Sequence, residues 1–376
     1  MKWEKVKLGN VTDSCLGKML DQNKNKGDYQ PYLANVNVRW GEFDLEDLPL
    51  MKFEESEQER YELKYGDLVI CEGGEPGRCA IWKEQIPNMK IQKALHRVRV
   101  HDCLDYRYLF YCFLLAGKTG ELDQYFTGAT IKHMPGQKLK EVVIDKPPLE
   151  IQHRIADILS AYDDLIENNQ KQIKLLKEAA QRLYKEWFVD LHFPGHENTK
   201  IVDGVPEGWR RGLLKELISV NYGKDHKKVP DDGNIPVYGS GGLMRKCNKS
   251  LFSGEAVLIP RKGSLNNIMY VDETFWTVDT MFYATMKQPH TAVFVYFFVK
   301  AFDMYSMNIG AAVPSMTTKI LDAMDVVIPD KETLEKFDKY AKVYFNKIKT
   351  LQGQNEQLKT ARDLLLPKLM SGEVEV

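Results

Sequence analysis

Gly128-Ala129, then Val142-Val143-Ile144, then Tyr162, Ile166, Gln170, Leu176, Ala179 and Leu183 come back later in the chain. They return as Gly310-Ala311, Val326-Val327-Ile328, Tyr344, Ile348, Gln352, Leu358, Ala361 and Leu365. Most pairs share one offset, 182 residues from Tyr162 to Tyr344, with a two-residue slip at the Val-Val-Ile segment. A period of this size is far longer than a solenoid or propeller unit, so it is read as a duplicated domain with its helix. The expectation is two similar surfaces carried on two similar helices.

The helical stretches set the architecture. In the first, Ile151, Ile155, Ile158, Tyr162, Leu165, Ile166, Ile173, Leu176, Ala180, Leu183 and Trp187 recur at three- and four-residue spacing. In the second, Leu334, Phe337, Ala341, Tyr344, Ile348, Leu351, Asn355, Leu358, Arg362, Leu365 and Leu369 keep a strict alternation of the two spacings. So sustained a seam predicts a coiled coil, with polar Asn355 fixing register at some cost in stability. An ordinary amphipathic helix lying on a globular core has the same periodicity and stays open as an alternative.

Pro147-Pro148 ends the first globular unit and opens the first helix, since proline suits a first turn. Phe193-Pro194-Gly195 and Gly204-Val205-Pro206-Glu207-Gly208 read as turns and linker. The expected division is a first domain at 1–148, a helix at 149–189, a linker at 190–208, a second domain at 209–330 and a helix at 331–376. In fold class this is α+β: two similar globular α/β domains joined by two long antiparallel coiled-coil helices, with pseudo-twofold internal repetition. Within the first domain, Asp67 to Cys71 and Leu95 to Val100 read as short strands, and Tyr106 to Leu115 as a buried helix or strand. Trp209 is a weak echo of Trp3.

Composition narrows the function. At 376 residues, 43% hydrophobic and 28% charged, the chain has room for two or three self-contained cores. No apolar run approaches the roughly 18 residues of a membrane span, and the opening residues do not form a targeting signal. Six cysteines without a Cys-x-x-Cys pair read as reduced thiols of a cytoplasmic protein. With 52 Lys plus Arg against 53 Asp plus Glu, any binding of a polyanion must rest on local patches. One lies between Tyr222 and Ser264, where Lys224, Lys227, Lys228, Arg245, Lys246, Lys249, Arg261 and Lys262 outnumber Asp225, Asp231, Asp232 and Glu255.

Catalytic motifs do not assemble. Ala116-Gly117-Lys118-Thr119 lacks the glycine a phosphate loop needs five positions before Gly117, where Cys112 stands. Tyr238-Gly239-Ser240-Gly241-Gly242 runs into Arg245-Lys246 rather than an apolar helix, which argues against a dinucleotide fold. His192 and His196 flank Pro194-Gly195, which breaks the helix a metal pair would need. No metal site is expected.

Two glycine-basic loops are the stronger signal. Glu72-Gly73-Gly74-Glu75-Pro76-Gly77-Arg78 follows one apolar strand, and Arg261-Lys262-Gly263-Ser264 follows another at the matching place in the repeat. Glycine lets backbone approach a phosphodiester, and Arg or Lys supplies phosphate pairing or hydrogen bonds to guanine. A tight turn with solvated charges is the plainer alternative. Lys132 and His133 follow Gly128-Ala129-Thr130, while Ser315, Thr317 and Thr318 follow Gly310-Ala311-Ala312; hydroxyl residues in that place also serve as helix caps. Trp276 and Asp279 read as core and strand-end residues.

These pieces together resemble the specificity, or DNA-recognition, subunit of type I restriction-modification systems. The resemblance is carried by residues 235–242, Ile-Pro-Val-Tyr-Gly-Ser-Gly-Gly, by Arg261-Lys262-Gly263-Ser264 and by Phe275-Trp276-Thr277-Val278-Asp279-Thr280. Pro147-Pro148-Leu149-Glu150-Ile151-Gln152 and residues 364–373 add to it, and it spans the whole chain. Asn266 departs from the pattern, standing where the family commonly has glycine; asparagine tolerates a left-handed backbone.

The resemblance implies that each globular unit reads one half of a bipartite site in double-stranded DNA, with the helices setting the unread spacer. A helix of about 38 residues is roughly 57 Å long, less than two turns of B-DNA at about 34 Å each. It implies a non-catalytic chain with no cofactor of its own. Partners would be two adenine-methyltransferase subunits and restriction-translocase subunits, which use S-adenosylmethionine, ATP and Mg. The DNA-binding candidates are Gly73, Gly74, Arg78, Lys132 and His133 in the first unit. In the second they are Lys224, Tyr238, Gly239, Ser240, Arg245, Lys246, Arg261, Lys262 and Ser264. Ile155, Tyr162, Ile166, Leu176, Leu183, Phe337, Tyr344, Ile348, Leu358 and Leu365 would form the seam. Two other classes stay open: a coiled-coil scaffold without DNA specificity, and an enzyme whose centre is too diffuse to show as a motif.

Overall fold

The computed structural model describes residues 3–21, 25–307 and 315–376; Gly310-Ala311 and Ala312 of the second repeat lie outside them. The chain divides into two compact units, Met1–Asn168 with Gln354–Val376, and Asn169–Gly353. Each unit therefore holds one globular domain and a half of each long helix, a division that cuts across the helices rather than at their ends.

In the first unit a four-stranded antiparallel sheet runs Thr12–Leu16, Leu95–Val100, Leu68–Cys71, Cys79–Ile81. Leu68–Cys71 is an unbroken apolar run because both of its faces are covered. Leu68 and Ile70 pack with Tyr108, Leu109 and Phe113, whereas Val69 and Cys71 pack with Leu33, Trp82 and Met89. Tyr106 to Leu115 belongs to a helix, Tyr106–Thr119, whose start is capped by the Asp105 carboxylate accepting from the Arg107 and Tyr108 amides. Glu4–Lys7 pairs antiparallel with Val143–Lys146.

The second unit repeats this plan. Its six-stranded sheet opens with Ile218–Tyr222, Met281–Met286, Phe252–Pro260 and Met269–Thr277 in the same spatial order, then adds the hairpin Ile235–Gly239 and Gly242–Cys247. Arg210–Leu213 pairs with Asp325–Ile328 as Glu4–Lys7 pairs with Val143–Lys146. Trp209 and Trp3 both immediately precede the first strand of the pair. The Trp209 indole donates to the Asp330 carboxylate at 2.9 Å.

The register removes the two-residue slip read from the sequence. Leu8 N–H donates to Val142 O, and Leu214 N–H donates to Met324 O. Val142 therefore corresponds to Met324 and Ile144 to Val326, the same offset of 182 that relates the helices Leu149–Phe188 and Lys331–Met370. Alternation of sides is what a strand enforces, so buried Val142 and Ile144 match buried Met324 and Val326. The repeated Val-Val-Ile letters had matched across the wrong register.

Both long helices are 40 residues. In the first unit Ile155, Ala156 and Leu159 share a core with Leu366, Leu369 and Met370. There Asp163, further along the first helix, pairs with Arg362, further back along the second, so the segments in this unit run antiparallel. In the second, Trp187 and Tyr184 close on Phe337 at ring distances of 5.8 and 6.2 Å. Burying aromatic side chains of this size stabilises by roughly 1.5–3 kcal/mol each. Ile155, Ile166, Phe337 and Ile348 are buried; Tyr162, Leu176, Leu183, Tyr344, Leu358 and Leu365 are half-buried. Ile158 and Leu165, expected in the apolar stripe, are 38% and 52% exposed. The inward stripe passes instead through Leu159, one position on, because 3.6 residues per turn drift against a fixed spacing.

The stretch at 190–208 is not a bare linker. Phe193 packs against Trp209 at a ring distance of 4.8 Å within the core of the second unit, and Ile201–Val202 pairs with Val205–Pro206.

Candidate nucleic-acid interface

In each unit three loops meet beyond the end of the sheet. The glycine-rich loop joins the third and fourth strands: Glu72–Arg78 after Leu68–Cys71, and Arg261–Asn267 after Phe252–Pro260. A second loop follows the domain's buried helix and returns at Met134 or Met316. Met134 N–H donates to Glu72 O at 2.8 Å, and Met316 N–H to Arg261 O at 2.9 Å, so Glu72 and Arg261 occupy equivalent places. The third loop comes from the excursion between the first strand and the sheet centre, through Asn35 in one unit and Ser240 in the other.

The glycines are dictated by this junction. Gly74 and Gly263 have φ of +79° and +85°, which L side chains rarely adopt. A Cβ on Gly74 would lie 2.8 Å from the Asn35 amide, and one on Gly263 2.8 Å from the Ser240 hydroxyl. Gly73 is as tight: its Cβ would sit 3.0 Å from His133 Nδ1, which brings His133 against the first glycine loop.

Arg78 holds the junction from inside. Its guanidinium donates to Asn35 O at 2.9 Å and to the Glu75 carboxylate at 2.9 Å, and the side chain is only 16% exposed. Asn267 does the same in the second unit, donating to Ser240 O at 2.9 Å. Arg245 is likewise committed internally, donating to His226 O at 2.6 Å and Val229 O at 2.9 Å and so shaping the 226–229 turn.

The second unit also carries exposed cationic side chains. Lys224, Lys246 and Lys262 are exposed, as are Gly263 and Ser264. The Arg261 guanidinium lies 5.4 Å from the Tyr222 ring centre and donates to Asp279 O at 3.2 Å, which fixes its direction. Gly239 is buried and Ser240 half-buried. The Tyr238 hydroxyl donates to Glu273 at 2.5 Å; burial first, then Glu273, pushes the phenol well above its ordinary value, so it stays neutral and inward.

In the first unit the junction surrounds a recess of about 500 Å³ walled by Trp40, Phe126, Glu75 and Lys132. Lys132 pairs with Asp123 at 3.2 Å and lies 5.7 Å from the Phe126 ring centre. Gly117 lines the same recess inside the helix Tyr106–Thr119, where a Cβ would fall 2.7 Å from Trp40. The glycine that imitated a phosphate loop is there to admit an indole.

Asn266 corrects an expectation. It is not among the residues with positive φ; its amide donates to Asp303 at 3.0 Å, and its Oδ1 accepts from Met304 N–H at 2.8 Å. The side chain, not backbone freedom, suits this position. Thr317 caps the helix Thr318–Asp322 by accepting from Ile320 N–H, and Trp276 is buried with its indole donating to Lys224 O at 3.1 Å. Asn35 was missed. Its signal was the spacing from Pro31 to Asn35, which repeats from Pro236 to Ser240.

Two domains of one plan, each ending in a junction of three loops and each carried on paired helices, define a duplicated recognition protein. A family profile described as the type I restriction modification DNA specificity domain matches residues 1–178 and again 206–360. The chain belongs to that family and is a type I restriction-modification specificity subunit with two target-recognition domains. It is similar to the type I restriction enzyme MjaIX specificity subunit of Methanocaldococcus jannaschii, at 27% identity over 72% of this chain and 69% of that protein. The MjaVIII specificity subunit of the same organism is 24% identical over 100% of this chain and 93% of that one. The crystal structure of the type I restriction-modification S subunit from M. genitalium shares the fold, with a TM-score of 0.58, 19% identity, and 98% and 96% of the two chains covered.

Proposed function

We propose that each recognition domain reads one half of a bipartite sequence in double-stranded DNA through its three-loop junction, and that the paired helices set the unread gap. The observation that carries this is the equivalence of the two junctions, down to the Met134–Glu72 and Met316–Arg261 hydrogen bonds and the matched glycines. Lys224, Lys246, Arg261, Lys262 and Ser264 touch the second half-site; Gly73, Gly74, Lys132 and His133 line the first. Lys224, Lys246 and Lys262, being exposed, suit phosphate, whereas Arg261, held by Tyr222 and Asp279, suits a base edge. Arg78 and Arg245 shape loops rather than touch DNA.

The chain itself is non-catalytic and works in the cytoplasm with two adenine-methyltransferase subunits and with restriction-translocase subunits. Those partners use S-adenosylmethionine, ATP and Mg, and they share the phosphate contacts that a net charge of −1 leaves wanting. Co-expression with the methyltransferase subunit tests the reading: a stable complex should methylate adenine only within a defined sequence. A complex without sequence preference would favour a protein scaffold, and methylation by the purified chain alone would make it an enzyme.

A further inference from the structure

We propose that Glu75 determines specificity in the first half-site by accepting a hydrogen bond from the exocyclic amino group of adenine or cytosine. The inference rests on the reading of the junctions as DNA-contacting and adds the chemistry of one contact. Equivalent loops carry opposite charge: Glu72-Gly73-Gly74-Glu75 stands where the second unit has Arg261-Lys262-Gly263-Ser264. A phosphate would repel the first of these loops, so its use at a DNA surface is on a base edge. In the major groove, adenine N6 and cytosine N4 are the amino donors, whereas guanine and thymine present acceptors that a carboxylate repels.

Glu75 is built for such a contact. Its Oε1 accepts from the Trp40 indole at 2.8 Å and its Oε2 from Arg78 at 2.9 Å, which fixes the carboxylate in one orientation. An ionised carboxylate has about four acceptor positions, so two are left for an incoming amino group. Its side chain is 54% exposed at the wall of the recess. Arg78, turned inward beneath it, offsets part of the negative charge and lowers the cost of bringing a carboxylate to a polyanion.

Genome-wide adenine methylation maps of the full complex with wild-type chain, Glu75→Leu and Glu75→Ala test this. Both variants should relax a requirement for adenine or cytosine at one position of one half-site by roughly tenfold or more, with the other half and the gap unchanged. The wild-type base at that position tells which amino group is read. Leucine keeps nearly the size but has no acceptor for an amino group, so it decides the matter if the alanine variant fails to assemble. Unchanged base preference in the leucine variant overturns the proposal. A wild-type map with no bipartite motif would instead break the underlying reading of the junctions.

Discussion

Gly263 and Arg261 fail differently when changed, because one shapes the junction and the other faces outward. Gly263→Ala puts a Cβ at φ +85° and 2.8 Å from Ser240, and should cost about 1 kcal/mol or more in urea unfolding while blurring the second half-site. Arg261→Ala should leave stability nearly intact and weaken binding to the specific site by roughly 1–3 kcal/mol, relaxing one base position. Lys262→Ala should weaken all sequences alike and reduce the dependence on salt by about one ion, which titrations at several ionic strengths would show. A uniform loss for Arg261→Ala would reassign it to phosphate. The glycines were legible because turn chemistry is local. The inward course of Arg78 was not, since its acceptor, Asn35, is 43 residues away in sequence.

Among the elements, the start of the central helix depends on Gln152, which is fully buried. Its Nε2 donates to Pro147 O at 2.8 Å and Cys103 O at 3.2 Å, and its Oε1 accepts from Asp105 N–H at 2.9 Å. Asp105 in turn caps Tyr106–Thr119, so one side chain ties two helices to the domain. Gln152→Ala leaves two buried backbone groups and the part-buried Cys103 carbonyl without that partner and should cost about 2–3 kcal/mol, whereas Leu334, its counterpart in the second unit, contributes only apolar packing. A calorimetric loss under about 1 kcal/mol would contradict this role.

Acid should also weaken the first unit. His96 Nε2 donates to Met134 O at 2.9 Å, and burial lowers the ring's pKa below its ordinary 6.5. The unfolded chain therefore takes up a proton that the folded one refuses, and stability falls as pH drops below 6.5 toward the lower folded value. A second loss follows at Asp363: burial alone would raise its carboxyl, but Lys118 and Arg362 outweigh this and hold it below 3.8. That contribution is present above the ordinary carboxylate value and disappears as pH falls through the lower folded one. Thermal unfolding followed from pH 7.5 to pH 3 should show both declines, the earlier one missing in His96→Phe.

For the whole molecule, duplication was the most legible property. Forty-residue helices keep their 3.6-residue period regardless of what the domains bind, so their pairing could be read from apolar spacing. Strand register was less so: chance identity of Val-Val-Ile outweighed the alternation that places Ile144 opposite Val6 and Val326 opposite Gly212. The excursions carrying Asn35 and Ser240 were hidden because Asp28–Leu33 and Ile235–Gly239, each leading to its own unit's junction, are built from different residues.

The central claim is that two junctions read DNA independently and the helices fix the distance between the two half-sites. It is tested most directly by replacing residues 209–330 with the corresponding domain of the similar MjaVIII subunit and mapping adenine methylation by single-molecule sequencing. The account predicts a motif with one half unchanged, the other half replaced and the gap constant. Change in both halves, or a variable gap from an assembled complex, would contradict it.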